Sequence, residues 1–401
     1  MESTEGPGKR QKVASASAFA SPSIPDDVVR RILLRLPSRS VLRCRAVCRA
    51  WLEMASDPGF ALEHHRLQPS LPLVSFLRSA AGSSSEEETG PVVHVDRYVE
   101  AFDLRTDEFR PTVRFTDYNG ESSGRFHIHG SCDGLLLLSF ADRFYVCNLA
   151  THQWTRLPVP LRSSWFVGFY RHEPTGEYRA LFYRGNWTGW PGTDYYILVP
   201  DSRKGKGIGL PPENDGYKFR GEPLGSPVLL RGSLHWMPRQ MQNHAILVFD
   251  TVTEVFTVMH PPVIREHMSL LEVDGELAMF SCEKQVTMVE LWVLKDYVND
   301  IWVCEHRVRL PVVEVSTFVF DESWRMFFMS DEGVVIVTPE QKLLHYDMDG
   351  TLRESFPCDG RNLKITPYTL KESLVRHAFF ETQDDAGDRD DEPPPPFFRG
   401  L

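Results

Sequence analysis

From Ile24 onward apolar residues recur at helical spacing. Val28, Val29, Ile32, Leu33 and Leu36 fall on i, i+3 and i+4 positions, and Pro37 stops the run. Pro25 suits the first turn of a helix, where its missing N–H costs nothing, and Asp26 and Asp27 complement the positive end of the helix dipole. Ser38 can cap a second helix that carries Val41, Leu42, Val47 and Cys48 into Trp51, and a third begins near Asp57-Pro58 with Phe60 and Leu62 on it. Three short helices of about 40 residues cannot bury all these side chains against one another, so apolar surface is left for a partner.

After Pro69 the helical period disappears, and short apolar runs alternate with Gly, Asp, Asn and Pro turns. The spacing Asp/Asn-x-x-Thr-x-x-aromatic occurs at Asp103, Thr106, Phe109, at Asn148, Thr151, Trp154, and at Asp250, Thr253, Phe256. Weaker copies at Asp201, Asp296 and Asp347 give a unit of roughly 45 to 53 residues, the period of propeller blades. Pro111, Pro158, Pro211, Pro261, Pro311 and Pro357 follow these turns in nearly the same phase, each expected to close a strand, so six units are implied. In the clearest unit we read strands at Pro227 to Leu230, through Trp236, at Ala245 to Phe249 and at Val255 to Met259, with a turn at Gly232-Ser233. Runs such as Leu135 to Leu138 and Ile246 to Phe249 suit strands buried on both faces. A β-sandwich with coincidental turn spacing is the competing architecture. The expected fold class is therefore α+β and multidomain, an N-terminal three-helix module followed by an all-β propeller of about six four-stranded blades.

Composition narrows the picture without changing it. With 401 residues, two folded units of unequal size are expected, and no apolar run approaches the roughly 18 residues of a membrane span. Residues 1–22 read as a disordered leader instead of a secretory signal, 23–67 as the helical module, 70–382 as the β domain and 383–401 as a disordered acidic and proline-rich tail. In that tail a solvated segment outweighs a recognition role for Phe397 and Phe398, and Lys9-Arg10-Gln11-Lys12 is too short to be read as a nuclear signal from sequence. Seven cysteines without a CxxC pair give neither a disulfide framework nor a zinc site, and read as small buried apolar residues. The net charge of -11 argues against nucleic-acid binding, yet seven arginines, Arg30, Arg31, Arg35, Arg39, Arg43, Arg45 and Arg49, stand against two acids between Asp26 and Trp51.

The stretch Ile24-Pro25-Asp26-Asp27-Val28-Val29, Ile32-Leu33-Leu34-Arg35-Leu36-Pro37, Leu42, Arg45, Val47-Cys48-Arg49-Ala50-Trp51 and Asp57-Pro58-Gly59-Phe60 resembles the F-box of plant-type proteins nearly position for position. The resemblance implies a helical module seated in a groove of a Skp-type adaptor, which tethers a cullin scaffold in an SCF-type ubiquitin ligase. Its adaptor-binding residues would be Ile24, Pro25, Val28, Ile32, Leu33, Leu36, Pro37, Leu42, Val47 and Trp51. Each buried aliphatic side chain contributes roughly 1.5 to 3 kcal/mol, enough together for a stable complex, and the arginines would assist encounter with an acidic partner. The alternative is a self-contained helical hairpin packed on the propeller. The β region resembles the F-box-associated repeat domains of plants, with Tyr368 and Glu372-Ser373-Leu374-Val375 resembling the strand that closes them.

If the strands run as read, the B–C loops Phe140 to Arg143, Arg184 to Asp194, Arg239 to His244, Cys282 to Thr287 and Pro339 to Lys342 share one face with the connections between blades. Trp187, Trp190 and Arg239 are the candidate target contacts, because exposed Trp and Arg commonly anchor interfaces; packing of both tryptophans onto a neighbouring blade is the plainer alternative. His127 and His129 would share a strand face but lack a third ligand, and Lys204 to Gly209 lacks the order of a phosphate loop and reads as a blade turn. No catalytic motif is visible, so a non-catalytic receptor is expected, with no cofactor, no metal, no nucleic acid and no membrane partner, and with an unidentified protein target. Location in the cytoplasm, the nucleus or both fits this reading. A non-degradative regulatory F-box protein and a ligand-binding or hydrolytic propeller are the competing functions.

Overall fold

The computed structural model describes residues 24–81, 93–103, 106, 108–118, 126–140, 143–157, 164–184, 194–200, 205–208, 226–237, 245–265, 267–282, 288–309, 327–329, 333–337, 342–357 and 362–380. Four helices open it: α1 (Asp26–Leu33), α2 (Ser38–Cys44), α3 (Arg49–Ser56) and α4 (Pro58–Leu67). The second helix expected from sequence divides at residues 45–48. Arg45 accounts for the break, because its Nε and Nη2 donate to the Ala55 carbonyl at 3.2 and 2.7 Å and draw the turn back onto the end of α3. Asp57 caps α4, its Oδ2 accepting from the Phe60 N–H at 2.7 Å, with Pro58 in the first turn.

The rest is a propeller of six four-stranded antiparallel sheets among the described residues. Blade 2 contains β4 (His127–Cys132), β5 (Leu135–Phe140), β6 (Arg143–Asn148) and β7 (Gln153–Leu157). Blade 3 contains β8 (Ser164–His172), β9 (Glu177–Arg184), β10 (Asp194–Leu198) and β11 (Lys206–Ile208). Blade 4 contains β12 (Val228–Leu230), β13 (Ser233–Trp236), β14 (Ile246–Asp250) and β15 (Val255–Met259). Blade 5 contains β16 (His267–Val273), β17 (Glu276–Cys282), β18 (Met288–Asp296) and β19 (Ile301–Arg309). Blade 6 contains β20 (Phe327–Met329), β21 (Gly333–Val337), β22 (Lys342–Tyr346) and β23 (Leu352–Pro357). Blade 1 joins the two ends of the domain: β24 (Asn362–Leu370) pairs with β1 (Leu71–Ala81), followed by β2 (Val93–Asp103) and β3 (Glu108–Tyr118).

The repeat seen in the sequence is a turn device. Asn148, Asp250, Asp296 and Asp347 each end a third strand or follow it directly, and each side chain accepts backbone N–H groups of its own turn. Asp250 Oδ1, for example, takes Val252 and Thr253 at 2.8 and 2.7 Å. The first two strands of blades 2, 4 and 5 are joined by Asp133-Gly134, Arg231-Gly232 and Asp274-Gly275, with positive φ at both residues, as a two-residue type I′ hairpin requires. The turn in blade 4 is thus one residue earlier than read from sequence, and Ser233 already belongs to β13. Lys206–Ile208 is an outer strand, not the blade turn expected. Pro111 lies within β3, which runs on to Tyr118; an outermost strand at a register shift needs no N–H there, so the proline does not end it.

Apolar clusters fill each contact between blades. Leu136, Leu138, Val99 and Val113 join blades 1 and 2, Trp236, Phe249 and Tyr195 join blades 3 and 4, and Phe76, Phe102, Val335 and Leu343 close the ring between blades 6 and 1. Near the axis the inner strands approach closely, and a Cβ on Gly168 of β8 would meet Leu234 and Trp236 of blade 4. Cys132, Cys147 and Cys282 are buried as expected, whereas Cys44 and Cys304 are half-buried and Cys48 is exposed on the helical module.

Candidate functional site

In each blade the first and third turns lie at one end and the second turn at the other, because the four strands form an antiparallel meander. Leu71 at the start of β1 pairs with Leu370 at the end of β24, so α4 delivers the chain to the first-turn end and β24 releases it there. The helical module therefore sits at that end. The second strands end and the third strands begin at the opposite end.

Two adjacent stripes make α1 apolar on more than its core face. Val29 and Leu33 point inward with Leu34, Val41, Ala55, Phe60 and Ala61, while Ile32 remains 49% exposed. Ile24 and Val47 are 58% and 63% exposed, and Leu52, Leu62 and Leu67 add further exposed aliphatic surface. Of the residues expected to bind an adaptor, Ile24, Pro25, Ile32, Pro37 and Val47 are exposed. Val28, Leu36, Leu42 and Trp51 are half-buried, the last three packed against the module's core. Leu33 is a correction: at 1% exposure it is interior, since the helical period places it beside Val29. Leu52, which the sequence reading did not name, is 45% exposed on α3 beside half-buried Trp51.

The arginines are less free than the sequence suggested. Arg30 pairs with Glu63 at 2.6 Å and lies over the Phe60 ring, Arg31 pairs with Asp27, Arg49 with Glu53, and Arg45 holds the turn after α2. Arg39 and Arg43 are exposed without an ion pair among the described residues.

The segment after β24 runs along the boundary between module and propeller. Sequence reading placed Glu372-Ser373-Leu374-Val375 in the closing strand, but that strand ends at Leu370 and contains Tyr368 only. Glu372 Oε2 accepts from the Ser38 N–H at 2.6 Å, His65 Nδ1–H donates to the Glu372 carbonyl at 2.9 Å, and Leu374 is buried in the module's core. Asn148 Nδ2 donates to the Ser373 carbonyl at 3.1 Å, and Phe379 and Phe380 fill the cluster between blades 2 and 3. Burial lowers the pKa of His64, His65 and His377 here, the last to about 4.

Trp187, Trp190 and Arg239, the expected target contacts, lie outside the described residues. At the end of the propeller opposite the helical module, Trp165 at the start of β8 is 42% exposed. His127 and His129 lie on the same side of β4 as expected, their ring centroids 6.0 Å apart, although His129 is the extra residue of a β-bulge opposite Leu137 and Leu138. His129 Nε2 lies 2.7 Å from Ser139 Oγ, and burial depresses its pKa to about 3. Among the described residues no group of three His, Cys, Asp or Glu side chains could hold a metal ion.

Comparison with known proteins agrees with this architecture. Residues 21–64 match an F-box-like family, and residues 114–351 match the F-box associated beta propeller domain. The F-box protein At5g49610 of Arabidopsis thaliana is 24% identical over 88% of this chain and 97% of its own. The F-box protein CPR1 of the same plant is 24% identical over 88% and 87%, and the F-box protein At3g07870 is 26% identical over 71% and 72%. With the helical module at one end matching the F-box-like family, the matched propeller following it and relatives that are F-box proteins, the chain belongs to the family of F-box proteins with an F-box associated beta propeller domain.

Proposed function

We propose that this F-box protein is a substrate-recruiting subunit of an SCF-type ubiquitin ligase. Its F-box would bind a Skp-type adaptor, and through it a cullin, while the far end of the propeller holds a protein target. One observation carries the reading: Ile24, Ile32 and Val47 stay exposed while Val29, Leu33, Val41 and Phe60 are buried in the module's core. At roughly 25 cal/mol per Å² of apolar surface removed from water, covering these side chains favours a tight partner. The chain's own contribution is proximity, raising the effective concentration of target lysines near ubiquitin carried by other subunits, with no chemistry of its own. Action in the cytoplasm or nucleus follows from that partner set.

Co-purification with a Skp-type adaptor tests the proposal. Ile32→Asp and Val47→Asp place charge on exposed positions without touching the core, so each should leave the chain folded and weaken the complex at least about tenfold. An unchanged complex in both variants, or none with the wild type, would overturn it.

A further inference from the structure

We infer that the segment Glu372–Phe380 is a structural part of the F-box, completing its core and clamping it to blades 2 and 3. Docking competence of residues 24–67 would thus depend on residues more than 300 positions downstream. Three kinds of contact support this. Leu374 is 2% exposed and belongs to the same cluster as Val29, Leu33 and Phe60, so a core of four short helices is finished by a side chain from outside them. Glu372 supplies a capping acceptor that α2 lacks locally: Pro37 precedes the helix and offers no side-chain oxygen, and the Ser38 N–H goes to Glu372 instead. A carboxylate at that terminus also faces the positive end of the helix dipole.

The other side of the segment is seated on the propeller. A Cβ on Gly134 would run into Ser373, so the hairpin turn of blade 2 is shaped to accept the segment at backbone distance. The His377 ring packs edge-on against Tyr178 at 5.1 Å, and Tyr178 OH donates to Asp133 Oδ2 at 3.0 Å, tying the segment to the same turn. Phe379 and Phe380 then anchor its end in the core between blades. Because β24 both closes the ring and leads into this segment, closure and F-box packing are mechanically joined.

The inference deepens the adaptor-docking reading but is tested without it. In the full-length chain with no adaptor present, Leu374→Asp should speed amide hydrogen exchange in α1 to α4 at least about tenfold while β12 to β19 keep wild-type rates. Glu372→Gln, which keeps the fold and weakens the cap, should speed α2 preferentially. Unchanged helical exchange in both variants overturns the inference, as does uniform loosening of every blade. Adaptor affinity is then measured on the same proteins. Loss of binding in proportion to loosened helices supports both readings, whereas loosened helices with no adaptor binding by wild type leave the clamp standing and remove the adaptor.

Discussion

Ile32 and Leu33 are neighbours on α1 and face opposite environments, the first 49% exposed and the second 1%. One turns to solvent and the other to Phe60 and Leu374 in the module's interior. The boundary between docking surface and core therefore runs between two consecutive residues, because each helical step rotates the side chain by about a quarter turn.

This separation predicts different outcomes for two similar changes. Leu33→Ala should destabilise the F-box by about 2 to 5 kcal/mol through lost burial and a residual cavity, whereas Ile32→Ala should change stability by less than about 1 kcal/mol. Urea unfolding followed by Trp51 fluorescence or helical circular dichroism reads both values.

Glu254 joins two blades. Its carboxylate is nearly buried and meets Arg179 and Lys206 of blade 3, with Tyr170 OH donating to it at 3.3 Å. Burial raises its pKa, but the Lys206 and Arg179 contacts outweigh burial and leave it lowered. Glu254→Gln should cost about 1 to 3 kcal/mol, chiefly by weakening the charge-assisted contact to Arg179, whose guanidinium keeps Glu177 at 2.6 Å as its other carboxylate partner. The stabilisation is present above the ordinary glutamate range and lost as pH falls through the lowered value. Thermal unfolding of wild type and variant at neutral and acid pH distinguishes this from a simple packing defect.

Several histidines make the fold acid-labile. Burial depresses His235 and His377 to about 4 and His129 to about 3, so the folded chain keeps them neutral where the unfolded chain takes up protons. Stability should be full above about pH 6.5 and fall as pH drops toward 4, since the unfolded state binds more protons in that window. His235 Nε2 lies 2.6 Å from Tyr297 OH between blades 4 and 5, so His235→Asn should flatten part of the slope in a pH series of denaturant midpoints.

The turn aspartates carry their own signature. Burial pulls the Asp250 carboxyl upward, and the N–H groups of Thr253 and Val252 more than offset that, leaving it lowered. Asp250→Ala should cost about 1 kcal/mol, and Asp250→Asn should recover most of it, since Asn148 performs the same task in blade 2. A calorimetric comparison of the two variants measures the difference.

What the sequence determined by itself was local and periodic. The helical spacing after Ile24, the Asp/Asn turns at blade intervals and the apolar runs of buried strands are each dictated within a few residues, so the F-box, the propeller and its six units were legible. The split at residues 45–48 was not, because an arginine reaching back to the Ala55 carbonyl broke a run whose periodicity continued. Tertiary structure alone decided that β24 stops at Leu370 and that Glu372 and Leu374 serve the F-box. These depend on two chain ends meeting on one blade, and no local pattern encodes a contact between residues more than 300 positions apart.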